Sequence, residues 1–364
     1  MKIGFVTTYS AKHPAGLERC TLDLLKAVFS QDHENQYYVY TKKGSGLAVL
    51  LAGYCNVRVI EIGLGKFWKD IGLFLAPRAD VYIFNGPQVP LLFAPKRYVV
   101  IVYDFGYHQF FAPGLRSYAK KLFLDGLARL AFRRSQKILA ISQHTKSEIG
   151  RLFATAEHKI TVMHLGFIEI CSLPPEPINS LPPKFFLFVG TLKERKNPLQ
   201  VVRAFAEFCK QHTGYSLLFV GKPSAEKNYL QKIYSVIIRE GIGDRVKFLG
   251  HINDSQLAYV YSRALALVFP SFIEGFGFPI LEAASCGLPV ITSNQSSLQE
   301  IAGGAALLVD PHNSDSIKQA MVRIATDAPL REQLIQSGRS RAREFSWNKT
   351  AQKFMEVLKS QYLS

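Results

Sequence analysis

Long apolar runs and paired cysteines are both missing from this sequence of 364 residues. Because no run of 18 apolar residues occurs, no transmembrane helix is expected. The cysteines form no CxxC pair and no metal-ligand spacing, so we expect free thiols in a reducing compartment. The first residues, Met1–Val6, predict a strand and lack the shape of a signal peptide. The five cysteines are Cys20, Cys55, Cys171, Cys209 and Cys286.

Acidic residues are scarce relative to basic ones, with 28 Asp and Glu against 44 Lys and Arg, a net charge of +16. The charge peaks in residues 96–137, where nine basic residues are accompanied only by Asp104 and Asp125, a net of +7. This balance indicates an anionic partner, which is nucleic acid, an anionic membrane surface or a phosphorylated substrate. The apolar content of 48% is typical of a folded globular protein, and the length suits two domains.

Apolar strand patterns alternate with helical patterns along the whole chain. This alternation predicts an α/β fold with two Rossmann-like, doubly wound parallel-sheet domains. A proline-rich break at 171–183 separates the strand and helix patterns of the first domain from those of the second. We expect the C-terminal helix to pack back on the first domain. The predicted parts are an acceptor-side domain (1–170), a linker (171–184), a nucleotide-binding domain (185–344) and the last helix (345–364). The predicted strands are 2–8, 36–41, 57–62, 81–84, 98–103, 137–141, 160–163, 185–189, 216–220, 246–249, 265–269, 290–292 and 306–309.

The first strand of the second half ends in a glycine turn that carries two cations. Gly190 and Thr191 open the turn, and Arg195 and Lys196 stand just before a helix that begins near Pro198. Ligands of such sheets bind at the carboxyl ends of strands, and cations beside a helix N-terminus suit a diphosphate. The alternative is an ordinary loop with solvated charges.

Two further strands of the second half end in glycine. Gly221 is followed by Lys222, and Gly250 is followed by His251. Glycine at these positions permits a ligand to approach the backbone closely. His251 can lie beside a bound base or serve a purely structural role.

The fourth such strand is followed by the segment Glu274–Glu282, which reads Glu-Gly-Phe-Gly-Phe-Pro-Ile-Leu-Glu. Gly275, Phe276, Gly277 and Phe278 form a loop at the start of a predicted helix, where backbone N–H groups can hold phosphate. One glutamate can accept hydrogen bonds from a transferred sugar and the other from a ribose diol. The alternative is a loop acid and a solvent-facing helix acid.

These motifs together resemble those of the retaining glycosyltransferases of the GT-B fold in glycosyltransferase family 4. The family's E-x7-E motif is matched by Glu274 and Glu282, and its G-T-L-x-x-R-K-N turn by Gly190–Asn197. Ala15–Arg19 is similar to the family's G-[GL]-x-E-R helix start, and Phe345–Trp347 matches its F-S-W before the last helix. The resemblance covers nearly the whole chain and implies two domains that face a cleft.

The resemblance also implies residue roles. Lys196, helped by Arg195, would neutralise the donor diphosphate, and the 275–278 loop would offer N–H groups to phosphate and sugar. Glu274 would bind the sugar hydroxyls and Glu282 the ribose, while Gly16 would let the first domain approach the diphosphate. Many relatives have arginine where this chain has Thr191.

One departure from the family pattern lies after the strand 98–103. Relatives commonly carry a histidine there that touches the donor sugar, whereas this chain reads Val102-Tyr103-Asp104. We favour Tyr103 or Asp104 as the residue that contacts the donor sugar in place of this histidine. The alternative is that His108 contacts the sugar.

The predicted function is transfer of a hexose from a nucleotide diphosphate sugar to a lipid-linked glycan in polysaccharide, lipopolysaccharide or glycolipid assembly. The form of the arginine–lysine turn favours GDP-mannose over a UDP-sugar, and no Asp-x-Asp follows a strand, so neither metal nor cofactor is expected. Alternatives are a UDP-glucosyl or UDP-galactosyl transferase, a paired-carboxylate glycosidase, which the phosphate-type turns argue against, and a non-catalytic nucleotide-sugar or nucleic-acid module.

A basic, aromatic stretch at 105–137, with a predicted helix at 115–134, is expected to form the surface that meets the acceptor. Its leucines at helical spacing and its cations suit an anionic membrane, so we expect a peripheral enzyme on the cytoplasmic face. The alternative is a helix with a solvated basic face. No nucleic-acid recognition motif occurs. The cations are Arg116, Lys120, Lys121, Arg129, Arg133 and Arg134.

Overall fold

The computed structural model describes residues 1–10, 16–91, 93, 95–110, 114–223 and 226–362. Ala15 of the predicted helix-start motif lies outside these residues. The chain divides into two compact units, one formed by residues 1–166 and 345–364 and the other by residues 167–344. None of the helices found in these described ranges is long and apolar enough to cross a membrane.

The first unit is built on a parallel sheet that has seven strands within the described residues. Its strand order is β3-β2-β1-β4-β5-β6-β7, so the order reverses between β1 and β4. Trp68, Phe132 and Phe153 belong to the aromatic core that covers one face of this sheet. The strands are β1 (Lys2–Val6), β2 (Gln36–Lys42), β3 (Val57–Ile62), β4 (Val81–Asn85), β5 (Tyr98–Val102), β6 (Lys137–Ala140) and β7 (Ile160–Val162).

The helices of the first unit connect these strands. The longest of them runs over Leu115–Arg134, as the leucine spacing predicts, and it buries Ala128, Ala131 and Phe132 near its C-terminal end. Ser142 caps the helix that follows β6 by accepting a hydrogen bond from the backbone N–H of Thr145. The helices are α1 (Gly16–Gln31), α2 (Leu47–Leu50), α3 (Leu73–Leu75), α4 (Leu115–Arg134) and α5 (Gln143–Phe153).

The second unit repeats the architecture with the strand order β10-β9-β8-β11-β12-β13, all parallel. Its order reverses between β8 and β11, and β8 (Phe185–Val189) is entirely buried. The other strands are β9 (Ser216–Val220), β10 (Val246–Gly250), β11 (Ala266–Phe269), β12 (Val290–Ser293) and β13 (Leu307–Val309). The helices are α6 (Pro198–Cys209), α7 (Lys227–Arg239), α8 (Asp254–Arg263), α9 (Phe278–Ser285), α10 (Ser296–Ala302), α11 (Ser314–Thr326) and α12 (Ala328–Ala342).

The last helix, α13 (Trp347–Tyr362), returns to the first unit and packs on α1. The Phe354 ring stacks on Phe5 of β1 with centroids 5.4 Å apart, and the Thr350 hydroxyl donates to the carbonyl of His164. The predicted α/β fold, with two parallel-sheet domains and a returning C-terminal helix, is confirmed.

The proline-rich segment belongs to the second unit, and it is tied to that unit by hydrogen bonds. The Glu176 carboxylate accepts from the side chains of Asn253 and Gln256 at the start of α8. The change from the first unit to the second falls between Gly166 and Phe167, slightly before the predicted linker.

The expectation of free thiols is wrong for one pair, because Cys171 and Cys286 form a disulfide. The two residues are 115 positions apart in sequence, but the fold brings their Cα atoms to 5.4 Å. Cys171 lies in a 3-10 turn that packs on α8 and α9, and Cys286 directly follows α9. No local spacing in the sequence signals such a pair. Cys20, Cys55 and Cys209 form no disulfide in the part of the chain that the structure describes.

Candidate functional site

The candidate site of the second unit lies where β8 and β11 end. In an open parallel sheet, the two strands at which the order reverses leave a crevice at their carboxyl ends, and ligands bind there. The turn after β8 carries Gly190, Thr191, Arg195 and Lys196, and the loop after β11 carries Glu274. The strand order therefore brings together two predicted motifs that are about 80 residues apart in sequence.

Asn197 holds the cation-bearing turn in place. It is 1% exposed and adopts a left-handed backbone with φ of 63°, which asparagine tolerates better than most residues. Its side-chain amide donates to the carbonyl oxygens of Pro270 (3.0 Å) and Pro311 (2.7 Å). The turn after β8 is thus fastened to the segments that follow β11 and β13.

Glu274 lies between the two cations of that turn. Its Oε1 atom is 2.8 Å from Lys196 Nζ, and its Oε2 atom is 3.0 Å from Arg195 Nη1. The Ser271 hydroxyl donates a further hydrogen bond to Oε1 at 3.2 Å. Arg195 Nη1 also donates to the carbonyl of Ile273, so the guanidinium holds both the backbone and the side chain of this loop.

Glu274 is ionised in this setting, although it is only 8% exposed. Burial by itself would raise the pKa of Glu274, but the charges of Lys196 and Arg195 outweigh it. With the hydrogen bonds from Lys196 and Ser271, they hold the pKa of Glu274 below its ordinary value. A carboxyl group held in this way is unsuited to donate a proton near neutral pH.

The loop between the glutamates is shaped by glycine and by a buried serine. Gly277 has φ of 123°, and a Cβ atom there would lie 2.7 Å from Leu298. The Ser297 hydroxyl lies within hydrogen-bonding distance of the carbonyl oxygens of Glu274 (2.7 Å) and Phe276 (2.8 Å). Gly275 and Phe276 are buried, and the Phe278 ring lies 5.1 Å from that of Phe276. The loop therefore has a defined conformation that leads into α9.

Glu282 lies on α9 and is half-buried. Its Oε2 atom accepts a hydrogen bond from the Tyr261 hydroxyl of α8 at 3.0 Å. Burial and the adjacent Glu282 charge raise the pKa of Tyr261 far above its ordinary value, so the phenol remains a donor. The second carboxylate is thus oriented by a neutral partner, whereas the first one is held by two cations.

The glycines at the ends of β8, β9 and β10 form a ladder of close backbone contacts. Gly190 donates to the carbonyl of Val220, and Gly221 donates to that of Gly250. A Cβ atom on Gly221 would lie 2.2 Å from the carbonyl oxygen of Gly190. Lys222 and His251, which follow these glycines, are exposed.

Gly221 provides a direct test of this packing. The change Gly221→Ala is expected to lower the free energy of unfolding by about 2 kcal/mol or more, because it adds both backbone strain and a backbone clash. Gly214→Ala is the matched control, since Gly214 also has a positive φ but a Cβ atom there meets nothing within 4 Å. Urea unfolding of both variants measures the difference. Equal losses would show that the close approach to Gly190 contributes nothing.

The predicted residues of the first unit lie near the carboxyl ends of its strands. Gly16 begins α1, and a Cβ atom on it would have no neighbour within 4 Å among the residues that the structure describes. The Tyr103 hydroxyl donates to Asn85 Oδ1 at 2.5 Å, and burial raises its pKa well above the ordinary value, so the phenol stays protonated near neutral pH and offers no base. Asp104 is exposed and accepts from the backbone N–H of Gly106.

His108, the alternative to Tyr103, is held by a helix of its own unit. Its Nε2 atom is 2.8 Å from Asp125 of α4, and the Tyr107 hydroxyl donates to the same carboxylate oxygen at 2.7 Å. Asp125 therefore orients the His108 ring, and Tyr107 in turn holds Asp125. Which of Tyr103, Asp104 and His108 serves the donor sugar stays a prediction.

Several residues that shape the site were not found by sequence reasoning. Ser271 and Tyr261 contact the glutamates, Ser297 holds the loop, and Ser296 accepts from the backbone N–H of Glu274 at 3.2 Å. The pair Ser296–Ser297 follows β12, which neighbours β11. Because ligands bind at the carboxyl ends of parallel strands, this position was a signal that could have identified the pair. Tyr261 carried no such signal, because it lies within a helix.

Two Rossmann-like sheets, with a cation-bearing turn at the order reversal of the second, are the arrangement typical of nucleotide-binding α/β proteins. The family model of "Glycosyl transferases group 1" matches residues 175–341. O-antigen chain mannosyltransferase B of Escherichia coli is 31% identical over 279 residues, which are 73% of this chain and 71% of that protein. The chain therefore belongs to the glycosyl transferases group 1 family, and the predicted glycosyltransferase class is confirmed.

Two further comparisons agree. O-antigen chain mannosyltransferase RfbU of Salmonella typhimurium is 26% identical over 237 residues, which are 65% of this chain and 62% of that protein. The crystal structure of Anabaena HepE in complex with UDP and glucose has a TM-score of 0.77 at 18% identity, and covers 99% of this chain and 100% of that one. At this identity the second comparison concerns the fold alone.

Proposed function

We propose that the protein is a retaining hexosyltransferase that moves mannose from GDP-mannose to a growing, lipid-linked glycan. The observation that carries this proposal is the grouping of Lys196, Arg195 and Glu274 where the strand order reverses. The form of the turn that carries both cations supports the mannosyl donor. The relatives from Escherichia coli and Salmonella, both named O-antigen chain mannosyltransferases, support it as well.

Lys196 and Arg195 serve the leaving group in this proposal. The bond between the anomeric carbon and the diphosphate oxygen breaks, and its electron pair stays on the diphosphate. A guanidinium has five N–H donors and an ammonium three, so both side chains keep donors beyond those that Glu274 accepts. Preorganised cations of this kind stabilise charge that develops in the transition state, and they do so without a metal ion.

Retention follows if the acceptor hydroxyl attacks from the face that the diphosphate leaves. The new bond joins the acceptor oxygen to the anomeric carbon, and the acceptor proton passes to the departing phosphate oxygen. In this proposal, Glu274 binds the sugar hydroxyls and Glu282 binds the ribose diol. Both glutamates accept hydrogen bonds and do not transfer protons, in keeping with the lowered pKa of Glu274.

A direct test compares nucleotide sugars as donors. Thermal-shift titration and a transfer assay with GDP-mannose, UDP-glucose, UDP-galactose and ADP-glucose should single out GDP-mannose, with retention of anomeric configuration in the product. Binding without transfer to any glycan acceptor would instead indicate a non-catalytic nucleotide-sugar module.

A UDP-hexose donor is the second candidate. It is supported by the likeness in fold to Anabaena HepE, whose structure holds UDP and glucose. The same titration decides the matter, because a larger thermal shift with UDP-glucose than with GDP-mannose would replace the proposed donor. A paired-carboxylate glycosidase has less support, since one of its two carboxyls must be protonated near neutral pH.

The acceptor side of the proposal rests on α4. The N-terminal half of this helix exposes large apolar side chains, among them Leu115 (90% exposed) and Phe123 (62% exposed), beside exposed Arg116 and Lys120. On α4 the exposed apolar groups and the cations are interleaved rather than separated onto two faces, so the support for an anionic membrane is their exposure and charge. Arg129 is an exception among the predicted cations, because its guanidinium donates to the carbonyl of Leu152. The exposed cations and apolar groups of α4 support the proposal of a peripheral enzyme on the inner face of a membrane.

The membrane surface can be tested by charge reversal on α4. Lys120→Glu together with Lys121→Glu is expected to reduce sedimentation with anionic vesicles about tenfold, because two attractive charges become repulsive. Lys227→Glu with Lys232→Glu, on the exposed face of α7, is the matched control and should sediment as the parent does. Equal binding of all three proteins would remove α4 from the membrane contact.

A further inference from the structure

A cavity of about 800 Å³ lies in the first unit, at the amino ends of β1, β4 and β5. The candidate residues of this unit lie at the opposite, carboxyl ends of the strands. Buried Tyr82 and Phe93 form part of the cavity lining, with ring centroids 5.1 Å apart, and Tyr362 of α13 contributes another aromatic wall. The cavity therefore belongs to neither the donor site nor the α4 surface.

The lining of this cavity is strongly basic. Arg78, Lys96 and Arg97 all line it and are exposed at its mouth. The acidic residue in the lining, Asp80, already accepts a hydrogen bond from the backbone N–H of Lys2 at 2.7 Å. In the part of the chain that the structure describes, none of the three cations is paired with a carboxylate. Three cations that converge on one cavity fit an anion with several oxygens, such as a phosphate.

Exposed apolar side chains border the same cavity. Phe74 lines it and is 59% exposed, and Leu75 beside it is 74% exposed. Leu73 anchors this short segment in the core of the unit, so Phe74 and Leu75 are held outward. The Arg78 guanidinium lies 5.7 Å from the centre of the Phe74 ring, which places a cation beside an apolar group.

We propose that this cavity binds the phosphate of an anionic phospholipid, with Phe74 and Leu75 in contact with the lipid's apolar part. A free phosphate or sugar phosphate would use the cations but gain nothing from exposed Phe74 and Leu75. A phospholipid uses both, because its phosphate and its acyl chains are adjoining parts of one molecule. The inference deepens the peripheral-membrane part of the proposed function and is independent of the donor and of α4.

The test uses the full chain and vesicles of phosphatidylcholine with or without 30% phosphatidylglycerol. Arg78→Glu with Arg97→Glu is expected to weaken binding to the anionic vesicles at least tenfold. Lys43→Glu with Arg58→Glu reverses two exposed charges elsewhere on the same unit, and should bind as the parent does. Circular dichroism and the thermal midpoint show whether each variant is folded. Parent-like binding of Arg78→Glu/Arg97→Glu would overturn the proposal.

A second variant separates lipid from soluble phosphate. Phe74→Ser with Leu75→Ser keeps the cations, so it should lose vesicle binding about tenfold while its weak binding of glycerol 1-phosphate in calorimetry is unchanged. Unchanged vesicle binding by this variant would show that Phe74 and Leu75 do not contact lipid. It would overturn the proposal of a phospholipid and favour a soluble phosphate as the ligand of the cavity.

A third measurement distinguishes this inference from the proposed function. The thermal shift with GDP-mannose should be unaffected in both cavity variants, because the donor residues lie in the second unit. If the parent protein itself showed no thermal shift with GDP-mannose, the proposed donor would be wrong. The vesicle-binding results for the cavity would be unaffected.

Discussion

Replacement of Lys196 by alanine is expected to lower kcat for sugar transfer by about 10²–10³-fold, the usual effect of removing one preorganised donor to a developing charge. Lys196 Nζ lies 2.8 Å from Glu274 and 4.8 Å from the centre of the Phe269 ring, so its ammonium group is held in place before a donor binds. The loss should appear mainly in kcat, because the diphosphate carries more charge on its leaving oxygen in the transition state than in the bound donor.

Lys193→Ala is the control for this change. Lys193 is exposed, lies in the same turn and has the same charge, so its loss alters the net charge equally without touching Glu274. Calorimetry with GDP alone gives a second readout, since the affinity for the diphosphate should fall with Lys196→Ala and not with Lys193→Ala. Equal kinetics of the two variants would contradict a role of Lys196 in stabilising the leaving diphosphate.

The secondary structure follows closely from the sequence, because its signals are local. The strands are short apolar runs bounded by glycine, proline or charge, and the predicted and observed strands agree within two residues in the part of the chain that the structure describes. The helix over Leu115–Arg134 was likewise predicted from leucine spacing. The segment around Phe74 was not predicted, because its helical turns are too short to show a period. The Cys171–Cys286 disulfide was missed because only the fold brings the two residues together.

The candidate site was predictable in its location but not in its contacts. Carboxyl ends of adjacent parallel strands meet, so placing Lys196 and Glu274 after strands was enough to group them. The ion pairs that join them span 78 and 79 residues of sequence, which no motif encodes. The partner of the Tyr103 hydroxyl, Asn85, lies only 18 residues away in sequence, but the contact depends on how β4 and β5 pair.

Glu274→Gln is expected to lower transfer by about 10²-fold or more, because a hydrogen bond to a charged group contributes about 1.5–3 kcal/mol and this carboxylate accepts several. Glutamine keeps the size of the side chain but replaces one acceptor oxygen by an N–H donor that points at Lys196 or Arg195. Glu282→Gln is the matched comparison, since Glu282 accepts from the neutral Tyr261 and should affect mainly the KM for the donor. Full activity of Glu274→Gln in a transfer assay would remove this residue from donor recognition.

The same substitution has a pH signature in stability. The pKa of Glu274 in the folded protein lies below the ordinary value of 4.5, so its ionisation favours the folded state. That contribution is fully present above the unfolded-state pKa and is lost as the pH falls through the lowered folded-state pKa. The free energy of unfolding of the parent should therefore exceed that of Glu274→Gln by a constant amount, about 3 kcal/mol for the loss of a buried carboxylate that pairs with two cations, down to about pH 5. Below that pH the free energies of unfolding of the parent and of Glu274→Gln should approach each other. A difference between them that persists undiminished to pH 2 would show that the carboxylate charge is not what stabilises the loop.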